Sequence, residues 1–210
     1  MRSPLITFDL GGVVVRICPT LQCAVERAGL PWREPVHPER PDDIERLLFD
    51  WQVGLLEDDA FFEAWAHAFG GRFDSAEARL ISEAWLLGEY EGVAQTVEKL
   101  HARGFRLGCL SNTCNHHWNH LLQRSEKFPT LSLLTERHAS HLFGRMKPDP
   151  EIFALYEQAV GVSGDRIVYF DDVQANTHAA LERGWRAFPI LPDRPPAGQI
   201  EQAMVDLGLL

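Results

Sequence analysis

Three short apolar runs each end in a residue able to handle an anion or a metal. Leu5-Ile6-Thr7-Phe8 leads into Asp9, Phe105 to Leu110 into Ser111, and Ile167-Val168-Tyr169-Phe170 into the pair Asp171-Asp172. Lys147 lies between the last two, in Gly144-Arg145-Met146-Lys147-Pro148. A carboxylate at a strand end can serve as nucleophile or metal ligand. A serine hydroxyl, with the backbone N–H groups that follow it, can bind phosphate oxygens. Adjacent carboxylates repel, and burying three of them together is costly without a compensating cation. An oxygen-rich set of this kind suits Mg²⁺, with Lys147 as a second source of positive charge. Each residue also has a plainer use. Asp9 and Ser111 are helix-capping types, as is Asn176, four residues beyond Asp172. Lys147 taken alone reads as a surface lysine.

The elements that must position these residues follow from the pattern. Apolar runs of four to six residues bounded by turn or helix signals read as buried parallel strands. In open α/β sheets, sites lie beyond the carboxyl ends of the strands. Strands at 4–8, 105–110, 167–170 and 185–190 would therefore bring Asp9, Ser111 and Asp171/Asp172 to one crevice. Val13-Val14-Val15 reads as a further short extended segment and 131–134 as a short strand. Helices are expected over 93–103, ended by Gly104, over 114–124, from Pro150 to about 160, over 174–183 and over about 198–207. Residues 18–88 differ in character. Helical segments fall near 20–28, 42–53, 57–69 and 75–87, and a loop with four prolines spans Pro31 to Pro41. Alternation of strand and helix from residue 90 predicts an α/β fold: a Rossmann-like parallel sheet flanked by helices, with an all-helical insertion after its first strand. The expected division is 1–17 with 89–210 as the core and 18–88 as the insertion.

Composition narrows the partners. A hydrophobic fraction of 45% is ample for a packed core, and no stretch approaches the ~18 apolar residues of a membrane span. The N-terminus shows no leader pattern. With 20 basic against 30 acidic residues and a net charge of −10, a general nucleic-acid or anionic-membrane surface is not expected. A small anionic substrate is compatible, because a local cation outweighs a distant surface field. Cys18, Cys23, Cys109 and Cys114 form no C-x-x-C pair and read as free thiols of a reducing cytoplasm. No cysteine–histidine spacing matches a structural zinc site.

Asp9 with Gly12-Val13, Ser111-Asn112-Thr113, Lys147-Pro148, and Asp171-Asp172 with Asn176 together resemble the four motifs of the haloacid dehalogenase superfamily, in order, over essentially the whole chain. The resemblance is greatest to a phosphatase-like branch that includes bacterial sugar-phosphate phosphatases and the N-terminal domain of soluble epoxide hydrolases. It implies that residues 18–88 form a helical cap over the site. It also implies a Mg²⁺-dependent phosphatase of a small phosphorylated metabolite, monomeric or homodimeric. Asp9 would attack phosphorus and form an aspartyl-phosphate. Mg²⁺ would be held by Asp9, the Gly11 carbonyl and Asp172, with Asp171 acting through water or as a further ligand. Ser111 and the Asn112 backbone would hold the phosphoryl group, and Lys147 would bridge it to Asp9.

One position departs from that family. Most of its phosphatases carry a second Asp two residues after the nucleophile, as general acid and base; here that residue is Gly11. Such help is typically worth about 10²–10⁴-fold. Three outcomes fit: a leaving group that needs little protonation, such as an anomeric sugar, acyl or aryl phosphate; another proton donor, for which the resemblance offers His117; or binding without turnover. The alternatives to a phosphatase are therefore a phosphate-compound binding or regulatory protein, and a metal-independent 2-haloacid dehalogenase. The pair Asp171-Asp172 argues against the dehalogenase.

Overall fold

The structure is a computed structural model that describes residues 3–210; Met1 and Arg2, which open the expected core segment, lie outside the described residues. In chain order the strands are β1 (Leu5–Phe8), β2 (Val15–Ile17), β3 (Leu86–Glu89), β4 (Arg106–Ser111), β5 (Glu136–Ala139), β6 (Ile167–Asp171) and β7 (Arg186–Pro189). The helices are α1 (Leu21–Arg27), α2 (Pro41–Gln52), α3 (Asp58–Ala68), α4 (Ser75–Ala84), α5 (Val93–Ala102), α6 (Asn115–Gln123), α7 (Thr130–Leu133), α8 (Ser140–Phe143), α9 (Pro150–Val160), α10 (Gln174–Glu182) and α11 (Pro196–Asp206).

Five strands form one parallel sheet in the order β5-β4-β1-β6-β7. β1 and β6 are buried throughout, as their unbroken apolar runs require. Side chains alternate between the two faces. Ile6, Phe8, Val168 and Phe170 pack with α5 and α11, whereas Leu5, Ile167 and Tyr169 pack with Phe153 and Tyr156 of α9. Among the described residues, no helix is long and apolar enough to cross a membrane. β1 lies between β4 and β6, so the chain leaves it toward one side of the sheet and returns on the other. Phe8 is in register with Cys109 and with Phe170. The residues just beyond, Asp9, Ser111 and Asp171, therefore emerge at the same edge of the sheet, at the reversal of strand order where α/β folds place their sites.

β2 and β3 form a separate antiparallel ribbon, and α1–α4 lie between its two strands in sequence. These helices have their own core, in which Trp51, Phe61, Phe62, Trp65, Phe73 and Ile81 pack together. α4 begins at a capping box, in which the Asp74 side chain accepts from Glu77 N and Glu77 reaches back to Asp74 N.

Three local expectations need correction. The helix expected over 75–87 stops at Ala84, and Leu86–Glu89 forms β3. Gly88 there has φ +116, outside any helix, and pairs across the ribbon with Arg16. The extended segment expected at Val13–Val15 is displaced to Val15–Ile17, because the backbone N–H groups of Val13, Val14 and Val15 all turn back to the Leu10 carbonyl. The strand expected at 131–134 is α7. Its first N–H and the Thr130 hydroxyl both donate to the Glu89 carboxylate, at 2.8 and 2.7 Å, which caps the turn from across the fold. The sheet edge is instead the polar segment Glu136–Ala139.

Candidate active site

Asp9 follows β1 directly and is 8% exposed. Its Oδ1 accepts from Leu10 N at 2.6 Å and lies 3.1 Å from Lys147 Nζ. Burial pushes its carboxyl up to about 7; Lys147 opposes this, Asp171 and Asp172 add to it, and the Ser111 hydroxyl opposes it.

Lys147 is buried although its sequence context suggested a surface lysine. Its ammonium donates to Asp171 Oδ2 at 2.7 Å and to the Tyr169 hydroxyl at 2.8 Å. Burial alone would lower its pKa, but Asp9 and Asp171 outweigh that and hold it above the usual lysine range. The backbone at Lys147 is fixed by the Asn112 side chain acting as a second peptide group. Lys147 N donates to Asn112 Oδ1 at 2.8 Å, and Asn112 Nδ2 donates to Lys147 O at 2.9 Å. Ser111, at the end of β4, is buried beside Asp9. The loop after it is pinned where Thr113 N donates to Ser140 Oγ at 2.9 Å.

Asp171 and Asp172 are adjacent but do different things. Asp171 is fully buried, and both its oxygens are saturated. Oδ1 accepts from Val173 N at 2.8 Å and Asn176 Nδ2 at 3.0 Å; Oδ2 accepts from Lys147, Asn176 and the Tyr169 hydroxyl. Asn176 thus turns its side chain into the site rather than capping α10. Asp172 is exposed, and partial desolvation and then Asp171 push its carboxyl up. Asp9, Asp171 and Asp172 each present a carboxylate oxygen within 4.8 Å of the others. Three carboxylates against one ammonium leave local negative charge, and the donor set is all oxygen. That chemistry fits a hard divalent cation.

A cavity of about 360 Å³ adjoins this cluster. Gly11, Ser111 and Asn112 line it from the sheet side, and Trp51, Phe61 and Phe62 from the helices. His117 is also in its wall. The ring of His117, on α6, is however held against α4, with Nε2 2.8 Å from Ser82 Oγ and 2.9 Å from Ser82 O. Burial lowers its pKa to about 4, leaving it neutral at pH 7.

A family model described as haloacid dehalogenase-like hydrolase matches residues 4–182. The chain belongs to the haloacid dehalogenase-like hydrolases. It is 29% identical over 185 residues to the phosphatase MT3486 of Mycobacterium tuberculosis (strain CDC 1551 / Oshkosh), a match covering 80% of each chain. In fold it resembles a HAD-like family hydrolase of Porphyromonas gingivalis, with a TM-score of 0.76, 20% identity, and coverage of 96% of this chain and 98% of that one. It also resembles the HAD family enzyme BT-2542 of Bacteroides thetaiotaomicron, crystallised with magnesium and inorganic phosphate. There the TM-score is 0.73 and the identity 16%, over 92% of this chain and 96% of that one.

In this haloacid dehalogenase-like hydrolase, two contributors to the site went unread in the sequence. Tyr169 counted only as part of an apolar strand. It sits two residues before Asp171, hence on the same strand face, and a buried tyrosine hydroxyl needs a polar partner. Those two facts together would have pointed to it. The Asn112 side chain was passed over in favour of its backbone. No local signal marks it, because its partner is 35 residues away.

Proposed function

We propose that this hydrolase is a Mg²⁺-dependent phosphatase of a small phosphorylated compound, with Asp9 as nucleophile and residues 18–88 as a cap over the site. The observation that supports this most directly is Lys147 Nζ, shared between Asp9 and Asp171 at the rim where Ser111 also ends its strand. Asp9, the Gly11 carbonyl and Asp172 would hold the ion, and Asp171, saturated by protein donors, would reach it only through water. When bound, Mg²⁺ would neutralise charge on the carboxylates and the transferring phosphoryl group.

The protein's own groups do the rest by positioning and electrostatics, as phosphoryl transfer requires. An Asp9 oxygen forms a bond to phosphorus as the bond to the leaving oxygen breaks, and the electron pair departs with that oxygen. Lys147 neutralises Asp9 and one phosphoryl oxygen. Ser111 Oγ and the Asn112 N–H hold the others. Water then attacks phosphorus, releasing inorganic phosphate and the Asp9 carboxylate. His117 is neutral and engaged with Ser82, so in this reading it shapes the site and is not the missing acid.

The test is hydrolysis of p-nitrophenyl phosphate with and without Mg²⁺, with Asp9→Asn as control. Mg²⁺-dependent turnover lost in Asp9→Asn is the expected result. Turnover no higher than that of the variant would sink the phosphatase reading. It would leave the binding-protein reading, which Gly11 favours, and call for a metal-free dehalogenation assay.

A further inference from the structure

We infer that the substrate is an aryl phosphate whose apolar ring occupies the cavity between the sheet edge and helices α2–α4. This rests on the phosphatase reading of the same site and narrows it. Continuity comes first. The cavity touches Gly11, Ser111 and Asn112 at one end and the aromatic side chains of α2 and α3 at the other. A group esterified to a phosphate held at Ser111 therefore points into it. Its ~360 Å³ is in the range of small-ligand sites.

The walls say what the group is. Trp51 stacks on Phe61 with ring centroids 3.7 Å apart and meets Phe62 edge-on at 5.4 Å. The indole N–H of Trp51 is already given to Asp58 Oδ1 at 2.7 Å, so Trp51 presents only its apolar ring. Among the described residues lining the cavity there is no Asp, Glu, Lys or Arg. Of its polar side chains away from Ser111 and Asn112, His117 and Ser82 satisfy each other, which leaves Gln52 and Thr113 to meet a ligand hydroxyl. A sugar or polyol carries more hydroxyls than these few side chains can pair, and each one left over would be buried without a partner. A flat ring would instead meet aromatic faces and edges, where offset and edge-on packing is favourable.

Gly11 is an independent observation that selects the same class. No carboxyl stands there to protonate the leaving oxygen, so that oxygen must depart as an anion. A phenol ionises near pH 10, judged by tyrosine at about 10. An alkyl alcohol, like water, ionises only far above that. As the bond from Asp9 to phosphorus forms, the bond to the aryl oxygen breaks and its electron pair leaves with the phenolate, which takes a proton from water on release. The anomeric sugar phosphates that the missing acid would also allow are disfavoured by the walls.

The test compares 1-naphthyl phosphate, phenyl phosphate, acetyl phosphate and glucose 1-phosphate on the Mg²⁺-loaded wild type and on Ala78→Leu. Ala78 is a buried residue of α4 in the cavity wall; leucine adds volume there, and circular dichroism and a thermal melt check that the variant folds. The expected kcat/KM for naphthyl exceeds that for phenyl by about tenfold or more, through KM, because a second ring is buried. Glucose 1-phosphate should be the poorest of the four. Ala78→Leu should lower the naphthyl-to-acetyl ratio of kcat/KM about tenfold. Equal naphthyl and phenyl values, or a sugar phosphate at par, in the wild type would overturn the assignment whatever the variant does. An unchanged ratio in a folded Ala78→Leu would do the same. Hydrolysis of acetyl phosphate alone would remove the aryl class and keep the phosphatase. Hydrolysis of none of the four above the Asp9→Asn level would remove both.

Discussion

The Asp172 carboxylate fills the space where a Cβ on Gly12 would stand. Gly12 also has φ +73, a conformation L side chains rarely adopt. Gly12→Ala should therefore push Asp172 away from Asp9. The loss of Mg²⁺ affinity should be about 10–100-fold, the usual effect of disturbing a ligand's support. A Mg²⁺ titration of activity checks this, and an unchanged titration would show that Asp172 does not hold the ion.

Gly11, one residue earlier, is the opposite case. A Cβ there would meet nothing within 4 Å, and its φ is not positive. Gly11→Asp should fold normally and place a carboxyl beside the cavity mouth. If the missing acid limits the enzyme, turnover of alkyl phosphates should rise by about 10²-fold, while p-nitrophenyl phosphate, with its good leaving group, should change little. Rates for both ester types that move together would show that protonation is not the limit.

Asp9 is held at a cost that the metal-free protein should reveal. Its folded pKa of about 7 lies above the ordinary 3.8. The folded state thus binds the proton more tightly, and this contribution to stability is complete below 3.8 and lost as pH rises through 7. In EDTA at pH 8, Asp9→Asn should be more stable than wild type by a few kcal/mol, at about 1.4 kcal/mol per pKa unit. Lys147 keeps Asp171 as partner in the variant. At pH 5 the difference should shrink. Urea unfolding at the two pH values decides it, and a variant no more stable at pH 8 would contradict the burial account.

Much of this site was legible because its residues end uniformly apolar strands. Asp9, Ser111 and Asp171 each follow or close such a run, and a parallel sheet brings run ends together. What escaped reading depends on partners far along the chain. The Asn112 side chain matters through the Lys147 backbone, and α7 is helical because Glu89 caps it. β5 is an edge strand with polar side chains, so no apolar run announces it. The aromatic residues of α2 and α3 recur at helical spacing, the pattern of a packed core. They are one, but the same rings also wall a cavity, and no periodicity separates a packed face from a hollow one.

Tyr169 and Lys147 should part company on mutation. Lys147→Met leaves Asp171 buried without its cation, an arrangement that costs about 3–5 kcal/mol, and should abolish turnover. Tyr169→Phe removes one hydroxyl between Lys147 and Asp171 and should cost about 1–2 kcal/mol. Because it acts through Lys147, it should lower kcat several-fold with KM nearly unchanged. Loss of stability without any change in kcat would make Tyr169 purely structural.

His117 ties α6 to α4 through Ser82, and that tie should fail in acid. Burial lowers its pKa to about 4 from 6.5, with the Ser82 carbonyl opposing and His116 and His120 adding. A folded pKa below the unfolded one means that the folded state rejects the proton. Its contribution is complete above pH 6.5 and is lost as pH falls toward 4. His116, His120, His138 and His141 are lowered in the same direction by burial. At about 1.4 kcal/mol per unit, His117 alone accounts for up to about 3 kcal/mol. Asp9 titrates in the opposite sense over this range, so the comparison belongs in Asp9→Asn: its urea midpoint should be lower at pH 5 than at pH 7.5, and the difference should shrink when His117→Gln, which keeps a polar partner for Ser82 but cannot titrate, is added. If the variant keeps the full difference, the acid sensitivity arises at the other histidines, and the link between α4 and α6 is indifferent to protonation.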